Sequence, residues 1–441
     1  MRLEERFDRH LAAMALPPGV ALVAVSGGTD SLALLDLLTR SPAAGSLVLH
    51  VAHVDHGIHP ESAQVAERVR AVAARYGLPV HVGRLALGPG ATETAARVAR
   101  YAWLGELADE LSAELILTAH QQNDQVETIL MRALKGSGPA GLAGIAPRRG
   151  NLVRPLLPFR REELASHLHS LGLEAWDDPA NQDLQHERSW IRHELLPALR
   201  RRFPLVDRKL IELGRQAASQ RAAWDAILER LPDLELQRTC AGVSVAASPL
   251  HGYDSSAQRA LLGALGRRVG CLIGPGRASR LQSLLAGGRS GAVVELGNGY
   301  AAELSFGRLR LFRGPAHPLL WESAVVEGDQ GQAPVGPWRI TWWTEPAPER
   351  MERNAASSWF PTGSYLVRTW REGDRIRPLG AMGRRLVVRC MQDARIARSQ
   401  RATWPVIEQA GTIVWVPGIC RSAEALPIAH AQALRIDAHL A

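Results

Sequence analysis

Residues 20–157 predict an α/β fold, a doubly wound parallel sheet, followed by two smaller mixed α/β domains. Three observations predict it. Short β-rich apolar runs alternate with helical stretches, the pattern of strands linked by helical crossovers. A glycine pair, Gly27-Gly28, joins the first run to the first helix. Three polar clusters each follow a strand, which places them at the carboxyl edge where such sheets bind ligands.

The predicted strands are Val20–Val25, Leu47–Val54, Pro79–Leu85 and Leu115–Ala119. The helices between them are Ser31–Thr39, Glu61–Tyr76 and Thr92–Leu111, with Gly77 as a cap after the second. A further helix is expected over Arg161–Leu171, then a polar loop, Trp176-Asp177-Asp178-Pro179-Ala180-Asn181. The run Arg200-Arg201-Arg202 before Pro204 reads as a domain exit. Leu210, Leu213, Ala217, Trp224 and Leu228 keep one face of a long helix, Val206–Arg230. Beyond it, Tyr300–Leu304, Arg308–Phe312 and Trp338–Trp343 read as strands, and Glu327–Pro334, rich in Gly and Pro, as a loop or linker. The domains expected are 1–205, 206–320 and 321–441.

Ser26-Gly27-Gly28-Thr29-Asp30-Ser31 follows the first strand and opens a helix. Glycines let the backbone approach a ligand and take positive φ, and the helix start offers free N–H groups to an anion. The lysine that grips a terminal phosphate in a Walker loop is absent. Asp30 stands there instead and suits Mg²⁺ held against a polyphosphate. The plain alternative is a tight turn with Asp30 or Ser31 as helix cap.

His53-Val54-Asp55-His56-Gly57 closes the second strand, with His53 a candidate nucleotide contact; His59 reads as an ordinary loop residue. Arg97 and Arg100 share a helix, and Arg97 pairs with Glu93 at i,i+4 or reaches over phosphates. After the fourth strand comes His120-Gln121-Gln122-Asn123-Asp124, with Glu127 three residues on. Asp124 and Glu127 lie on one helical face, where they hold an ammonium or accept a proton. By position alone they serve equally as acids at the positive end of a helix. Arg132, Lys135 and Gly136-Ser137-Gly138 form either a phosphate-contacting helix end or a plain glycine C-cap.

The bulk composition sets limits. The 441 residues carry 52 basic and 44 acidic side chains, a net charge of +8, which suits a polyanionic partner. Only Lys135 and Lys209 are lysines. Ten arginines against three acids lie between Pro361 and Arg401, a source of salt-dependent phosphate binding. Twelve tryptophans include Trp370 and Trp404, each a core residue or a base-stacking one. No apolar run is long enough for a membrane span, and the N-terminus does not read as a signal peptide. The four cysteines, Cys240, Cys271, Cys390 and Cys420, form no CxxC, which argues against zinc ribbons and iron–sulfur clusters and fits a reducing cytoplasm.

SGGTDS, HVDHG, the Glu93–Tyr101 run, His120–Thr128, the KGSG turn, Arg154-Pro155-Leu156-Leu157, and the Trp176…Arg188-Ser189-Trp190-Ile191-Arg192 run occur in order. Together with Arg371-Glu372-Gly373-Asp374-Arg375 and Val414–Gly418 they resemble the bacterial tRNA(Ile)-lysidine synthetases of the PP-loop ATPase superfamily. The chain departs from that pattern at Gln121, Asn123, His59 and Ser189.

The resemblance implies an ATP- and Mg²⁺-dependent ligase that adenylates C2 of the wobble cytidine in a CAU anticodon. Free lysine then displaces AMP. It implies ATP contacts from Ser26, Gly27, Gly28, Thr29, Asp30, Ser31 and His53, with the metal on Asp30. Catalysis falls to Asp30, Arg97 and Asp124, and lysine binding to Asp124, Glu127 and His120. RNA contacts fall to Arg132, Lys135, Arg188, Arg192, Arg371 and Arg375. The partners expected are tRNA(Ile), lysine and no membrane, with a homodimer left open. The rivals are a tRNA thiolase, which generally relies on cysteine relays, and a non-catalytic tRNA-binding protein.

Overall fold

The computed structural model describes residues 1–55, 62–85, 93–173, 175–176, 187–239, 242–314, 322–352 and 355–440. The chain divides into two compact units, Met1–Arg221 and Ala222–Ala441.

The first unit runs α1 (Leu3–Ala13), β1 (Gly19–Ala24), α2 (Thr29–Arg40), β2 (Leu47–Asp55), α3 (Ser62–Arg75), β3 (Val80–Arg84), α4 (Glu93–Glu110), β4 (Leu115–Leu117) and α5 (Gln122–Leu134). It continues through β5 (Arg148–Arg149), β6 (Leu152–Val153), α6 (Arg161–Ser170), α7 (Glu187–Trp190) and α8 (Leu196–Arg202) into α9 (Val206–Arg230). The sheet order is β3-β2-β1-β4-β6-β5. All neighbours are parallel except β5 on β6. Val23 pairs with Val51 on one side and Leu117 on the other. The order therefore reverses between β1 and β4, and a crevice opens beyond their carboxyl ends.

The four predicted strands agree with the structure to within two residues; the central ones, β1 and β4, are buried and read as continuous apolar runs. Helix α2 begins at Thr29, two residues earlier than the periodicity predicts, with Gly28 as N-cap. Asp30 and Ser31 thus sit inside the first turn rather than capping it. Further along α2, buried Asp36 fixes the helix to its surroundings. Its Oδ1 accepts from Arg40 Nε at 2.7 Å and Tyr76 Oη at 2.6 Å, and its Oδ2 lies 2.8 Å from His167 Nε2. These bonds tie α2 to the end of α3 and to α6, so the turn at its other end is held from behind.

The second unit is rich in antiparallel sheet. One five-stranded sheet has the order β7-β8-β11-β10-β9, from β7 (Gln237–Thr239), β8 (Gly242–Ala246), β9 (Ala292–Gly297), β10 (Tyr300–Ser305) and β11 (Arg308–Arg313). Helices α10 (Ser255–Arg268) and α11 (Pro275–Gly287) share its apolar core. Then follow β12 (Ala324–Val326), β13 (Gln330–Val335), β14 (Trp338–Pro346), β15 (Ser357–Phe360), β16 (Tyr365–Thr369), β17 (Arg375–Ile376), β18 (Arg385–Leu386), α12 (Val387–Asp393), α13 (Arg398–Arg401), β19 (Pro405–Gln409), β20 (Thr412–Val416), β21 (Cys420–Arg421) and β22 (Gln432–Leu440). They build sheets of order β12-β16-β19-β20-β21 and β13-β14-β22-β15, with β17–β18 as a small hairpin.

The expected linker at 327–334 is corrected here: Gln330–Val335 is strand β13, paired along its length with β14. Pro334 is tolerated because β13 is an edge strand. Gly331 is small because the Trp342 ring lies over it, within 2.3 Å of where a Cβ would stand. Packing, not flexibility, selected these residues. Buried Glu303 on β10 accepts the backbone N–H groups of Arg398 and Ser399 at 2.7 and 3.0 Å, capping α13.

Candidate functional site

The turn after β1 is closed by its own side chains. Ser31 Oγ donates to the Gly28 carbonyl at 2.8 Å and accepts from the Ser26 N–H at 3.2 Å. The Trp176 N–H donates to the Gly27 carbonyl at 3.0 Å. Gly27 has φ +87°, and a Cβ there would stand 2.7 Å from Val65 Cγ1. Gly27→Ala is therefore expected to destabilise by about 1–3 kcal/mol through strained backbone and overpacking. It should also weaken ATP binding by opening the turn; thermal melts with and without ATP check both. His53 Nδ1 lies 2.8 Å from the Val25 carbonyl, so it carries the proton and donates, tying β2 to the start of the turn. Burial holds His53 below the usual histidine range.

Asp30 projects from the first turn of α2. Among the described residues its buried Oδ1 has no hydrogen-bond partner. Its carboxyl is pushed up to about 6, first by burial and then by the charge of Asp124; Arg161, Gln121 and Arg192 act in the opposite direction. An acid left short of partners at a glycine turn fits a cation shared with an anionic ligand. Among the described residues no group of three or more His, Cys, Asp or Glu side chains is placed to hold a metal by itself. Mg²⁺ is commonly held by one or two carboxylates plus substrate phosphates, and Asp30 fits that arrangement.

Across the crevice, the end of β4 leads to His120, and α5 begins two residues later. Gln121 is the N-cap: its side chain accepts from the Asn123 N–H, and Asp124 Oδ2 accepts from the Gln121 N–H at 3.0 Å. Asn123 Oδ1 accepts from the Arg161 N–H at 3.5 Å, linking α5 to α6. Gln121 and Asn123 thus both have structural work at the start of α5.

Asp124 and Glu127 face α7 and the π-helical turn Ile191–Leu195 that follows it. Glu127, 2% exposed, accepts from Arg188 Nε at 2.9 Å and from Arg192 Nε and Nη2 at 2.7 and 3.0 Å. Asp124 Oδ1 accepts from Arg188 Nη2 at 2.7 Å. Two carboxylates and two guanidiniums make a nearly neutral, bidentate cluster.

His120 lies on the positive side. Its Nδ1 is 3.1 Å from Thr118 Oγ1. Its pKa is pushed down to about 3, first by burial and then by Arg154, Arg97, Arg188 and Arg100. It is therefore neutral at physiological pH, amid four guanidiniums. Arg97 and Arg100 both lie over the Tyr101 ring, at 5.1 and 5.5 Å. Arg154 is buried; its Nη1 donates to the Ala146 carbonyl at 2.8 Å, and its Nε has no partner. Sequence reasoning missed Arg154 as a site residue. The signal was its place directly after β6, at the same edge as the other clusters.

The remaining predicted residues are placed as follows. Arg132 Nη1 donates to the Gly141 and Gly144 carbonyls at 2.9 and 2.8 Å, holding the turn after α5, and Lys135 pairs with Glu187. Arg371 and Arg375 are exposed in the second unit. Trp370 and Trp404 donate their indole N–H groups to the Arg401 and Pro417 carbonyls, which matches the core role. His56, Gly57, His59, the side chain of Glu93 and the 177–181 loop lie outside the described residues.

A PP-loop domain pattern matches residues 3–199, and a TilS substrate C-terminal domain pattern matches residues 366–438. A tRNA(Ile)-lysidine synthase from Symbiobacterium thermophilum is 34% identical over 95% of this chain and 93% of its own length. The chain belongs to the tRNA(Ile)-lysidine synthase family. A member from Solibacter usitatus is 32% identical over 89% of this chain and 92% of its own. One from Alkalilimnicola ehrlichii is 41% identical over 58% of each. Family membership makes the chain an enzyme that acts on tRNA, and its PP-loop domain indicates the use of ATP. Among the described residues no helix is long and apolar enough to cross a membrane.

Proposed function

We propose that this family member joins lysine to C2 of the wobble cytidine in the CAU anticodon of tRNA(Ile), forming a carbon–nitrogen bond as ATP becomes AMP and pyrophosphate. The observation that carries the reading is Asp30, whose unpartnered buried oxygen sits beside the Asp124–Glu127 cluster at the sheet's switch point.

In the first step the C2 oxygen attacks the α-phosphorus of ATP and pyrophosphate leaves. In the second the lysine side-chain amine, having lost a proton, attacks C2. The C2–O bond breaks, and AMP departs with that oxygen. The turn Ser26–Ser31 cradles the phosphates with backbone N–H groups. Asp30 would hold Mg²⁺, which when bound would supply charge neutralisation for the leaving pyrophosphate. Arg97, joined by Arg154 and Arg100, stabilises the negative charge that develops on phosphate oxygens. Neutral His120 can offer a hydrogen bond without adding charge.

Asp124 is the more accessible carboxylate, so it receives the lysine ammonium and accepts the proton. Glu127 acts behind it by holding Arg188 and Arg192, which turn toward RNA from that anchor. Arg132 and Lys135 lie at the same helix end as a backbone contact.

We assign residues 1–205 to ATP and lysine, and 206–320 and 321–441 to tRNA binding, with Arg371 and Arg375 on phosphates. The match to a substrate C-terminal domain and the exposed arginines support this. The setting proposed is the cytoplasm.

The test is incubation with ATP, Mg²⁺, labelled lysine and a CAU-anticodon tRNA(Ile), followed by mass spectrometry of the wobble nucleoside. The expected result is one lysine per tRNA and one AMP released. No incorporation defeats the reading. Equal modification of a methionine tRNA with the same anticodon defeats its specificity.

A further inference from the structure

We propose that the loop joining β17 to β18, residues 377–384, is an RNA-contacting probe: Met382 packs on an exposed base face while the surrounding arginines hold phosphates. The proposal rests on the tRNA reading above and names an element that carries part of it.

Met382 is 99% exposed, more than any other large apolar residue described. Its loop contains Gly380 and Gly383, and a Cβ built on either meets nothing within 4 Å, so the apex stands clear of the protein. The base of the loop, by contrast, is pinned. The Leu379 N–H donates to the Arg421 carbonyl at 2.7 Å, and the Ala423 N–H to the Arg377 carbonyl at 3.0 Å. Pro378 bridges to Ser422, and the Val387 N–H donates to the Asp374 carbonyl at 2.9 Å.

The strand beneath the loop is anchored by a buried cation. Arg421 is fully buried and has no carboxylate partner among the described residues. Its Nη1 donates to the carbonyls of Val414, Ser422 and Glu424 at 3.0–3.1 Å. Its Nη2 donates to those of Trp359 and Ala425 at 3.0 and 2.6 Å. The guanidinium sits 4.2 Å from the Phe360 ring centroid. Burial pushes it down to about 10. A buried charge is costly unless it is hydrogen-bonded; both Nη groups are satisfied and only Nε lacks a partner among the described residues, and the five bonds gather the chain around β21. A flexible loop would lose entropy on binding; one pinned at its base loses less.

The surroundings select RNA as the occupant. Arg371, Arg375 and Arg377 are exposed, and no ion pair engages them among the described residues. Arg384 and Arg385 are also exposed, paired at the surface with Glu424 and Asp393. A protein-docking site would present a contiguous apolar patch. Here a single thioether stands in a field of guanidiniums. Methionine is among the residues that nucleic-acid-binding proteins insert against bases, and its polarisable sulfur packs well on aromatic faces.

The test uses the full chain and a CAU-anticodon tRNA(Ile). Limited hydrogen peroxide oxidation, read by peptide mass spectrometry, is expected to convert Met382 to its sulfoxide about tenfold more slowly with saturating tRNA, since susceptibility follows exposure. Met1, also exposed, should oxidise equally in both. Met382→Ala is expected to weaken tRNA binding about tenfold, the scale of burying such a side chain, with ATP binding unchanged. Met382→Leu should restore most of it. Arg377→Ala should lower the slope of log affinity against log salt by about one, as losing one phosphate contact does.

Unchanged Met382 oxidation in a complex that demonstrably forms would overturn the proposal. So would a Met382→Ala variant that binds tRNA normally; if its mass by light scattering also fell, the loop would be a self-association contact instead. A parent chain that binds no tRNA would defeat the functional reading itself, and this proposal with it.

Discussion

Asp30→Asn is expected to abolish lysine incorporation, by at least about a hundredfold for loss of a preorganised charge at the reacting phosphates, while the variant folds and still binds tRNA. The same substitution should raise the melting temperature of the ligand-free protein at pH 7.5. The folded protein holds the Asp30 proton up to about pH 6, whereas an ordinary aspartate releases it near 3.8. Between those values the folded state binds more protons than the unfolded one, so stability falls as pH rises through that window. By pH 7.5 the full cost of a buried, partner-poor carboxylate is present, and asparagine removes it. Melts from pH 4 to 8 should show this window in the parent and lose it in the variant. A variant that melts lower at pH 7.5, or loses tRNA, would make Asp30 a folding residue rather than a phosphate-site one. A protein that becomes less stable as its site becomes competent shows the usual trade between stability and function.

Glu127→Ala is expected to be the most destabilising single change at the site. The side chain is almost fully buried and receives three hydrogen bonds from two guanidiniums. Its removal leaves Arg188 and Arg192 with Asp124, and for Arg192 also Asp30, to oppose them among the described residues. Breaking a buried pair typically costs about 3–5 kcal/mol; with both arginines about a quarter exposed, about 2–4 is expected here. For a unit of this size that corresponds to a fall of roughly 5–15 °C in melting temperature. Asp124→Ala should cost less stability, because Asp124 is more exposed, yet raise the KM for lysine more. Adding Arg192→Met to Glu127→Ala should recover part of the loss, since the two residues are coupled. Calorimetric melts and lysine kinetics on the four proteins separate these roles. If Glu127→Ala melts like the parent but no longer saturates with lysine, Glu127 is a direct ligand and not the anchor of the arginines.

Much of the fold was legible because local rules produce it. Val20–Val25 reads as a buried strand and Val206–Arg230 as a helix from periodicity alone, and β1 and α9 follow within a residue. The 327–334 segment was misread because its glycine and proline have tertiary causes: an indole packed on Gly331 and an edge position for Pro334. Arg154 escaped notice because burial of a charge is not visible in sequence. The pairing of Arg188 and Arg192 with Glu127 was not legible, because that carboxylate lies more than sixty residues earlier in the chain.

By itself, then, the sequence determined the parallel sheet, the glycine turn with Asp30 at its helix start, and the ordered motifs that mark the family. Steric limits on glycine, apolar periodicity and motif spacing are properties of neighbouring residues. Only the tertiary structure decided that Asp30 keeps a buried, unpartnered oxygen, that Glu127 is occupied by two arginines, and that His120 stays neutral among four. Those properties arise from desolvation and from charges brought within a few ångströms by separate elements, and no short stretch of chain contains them.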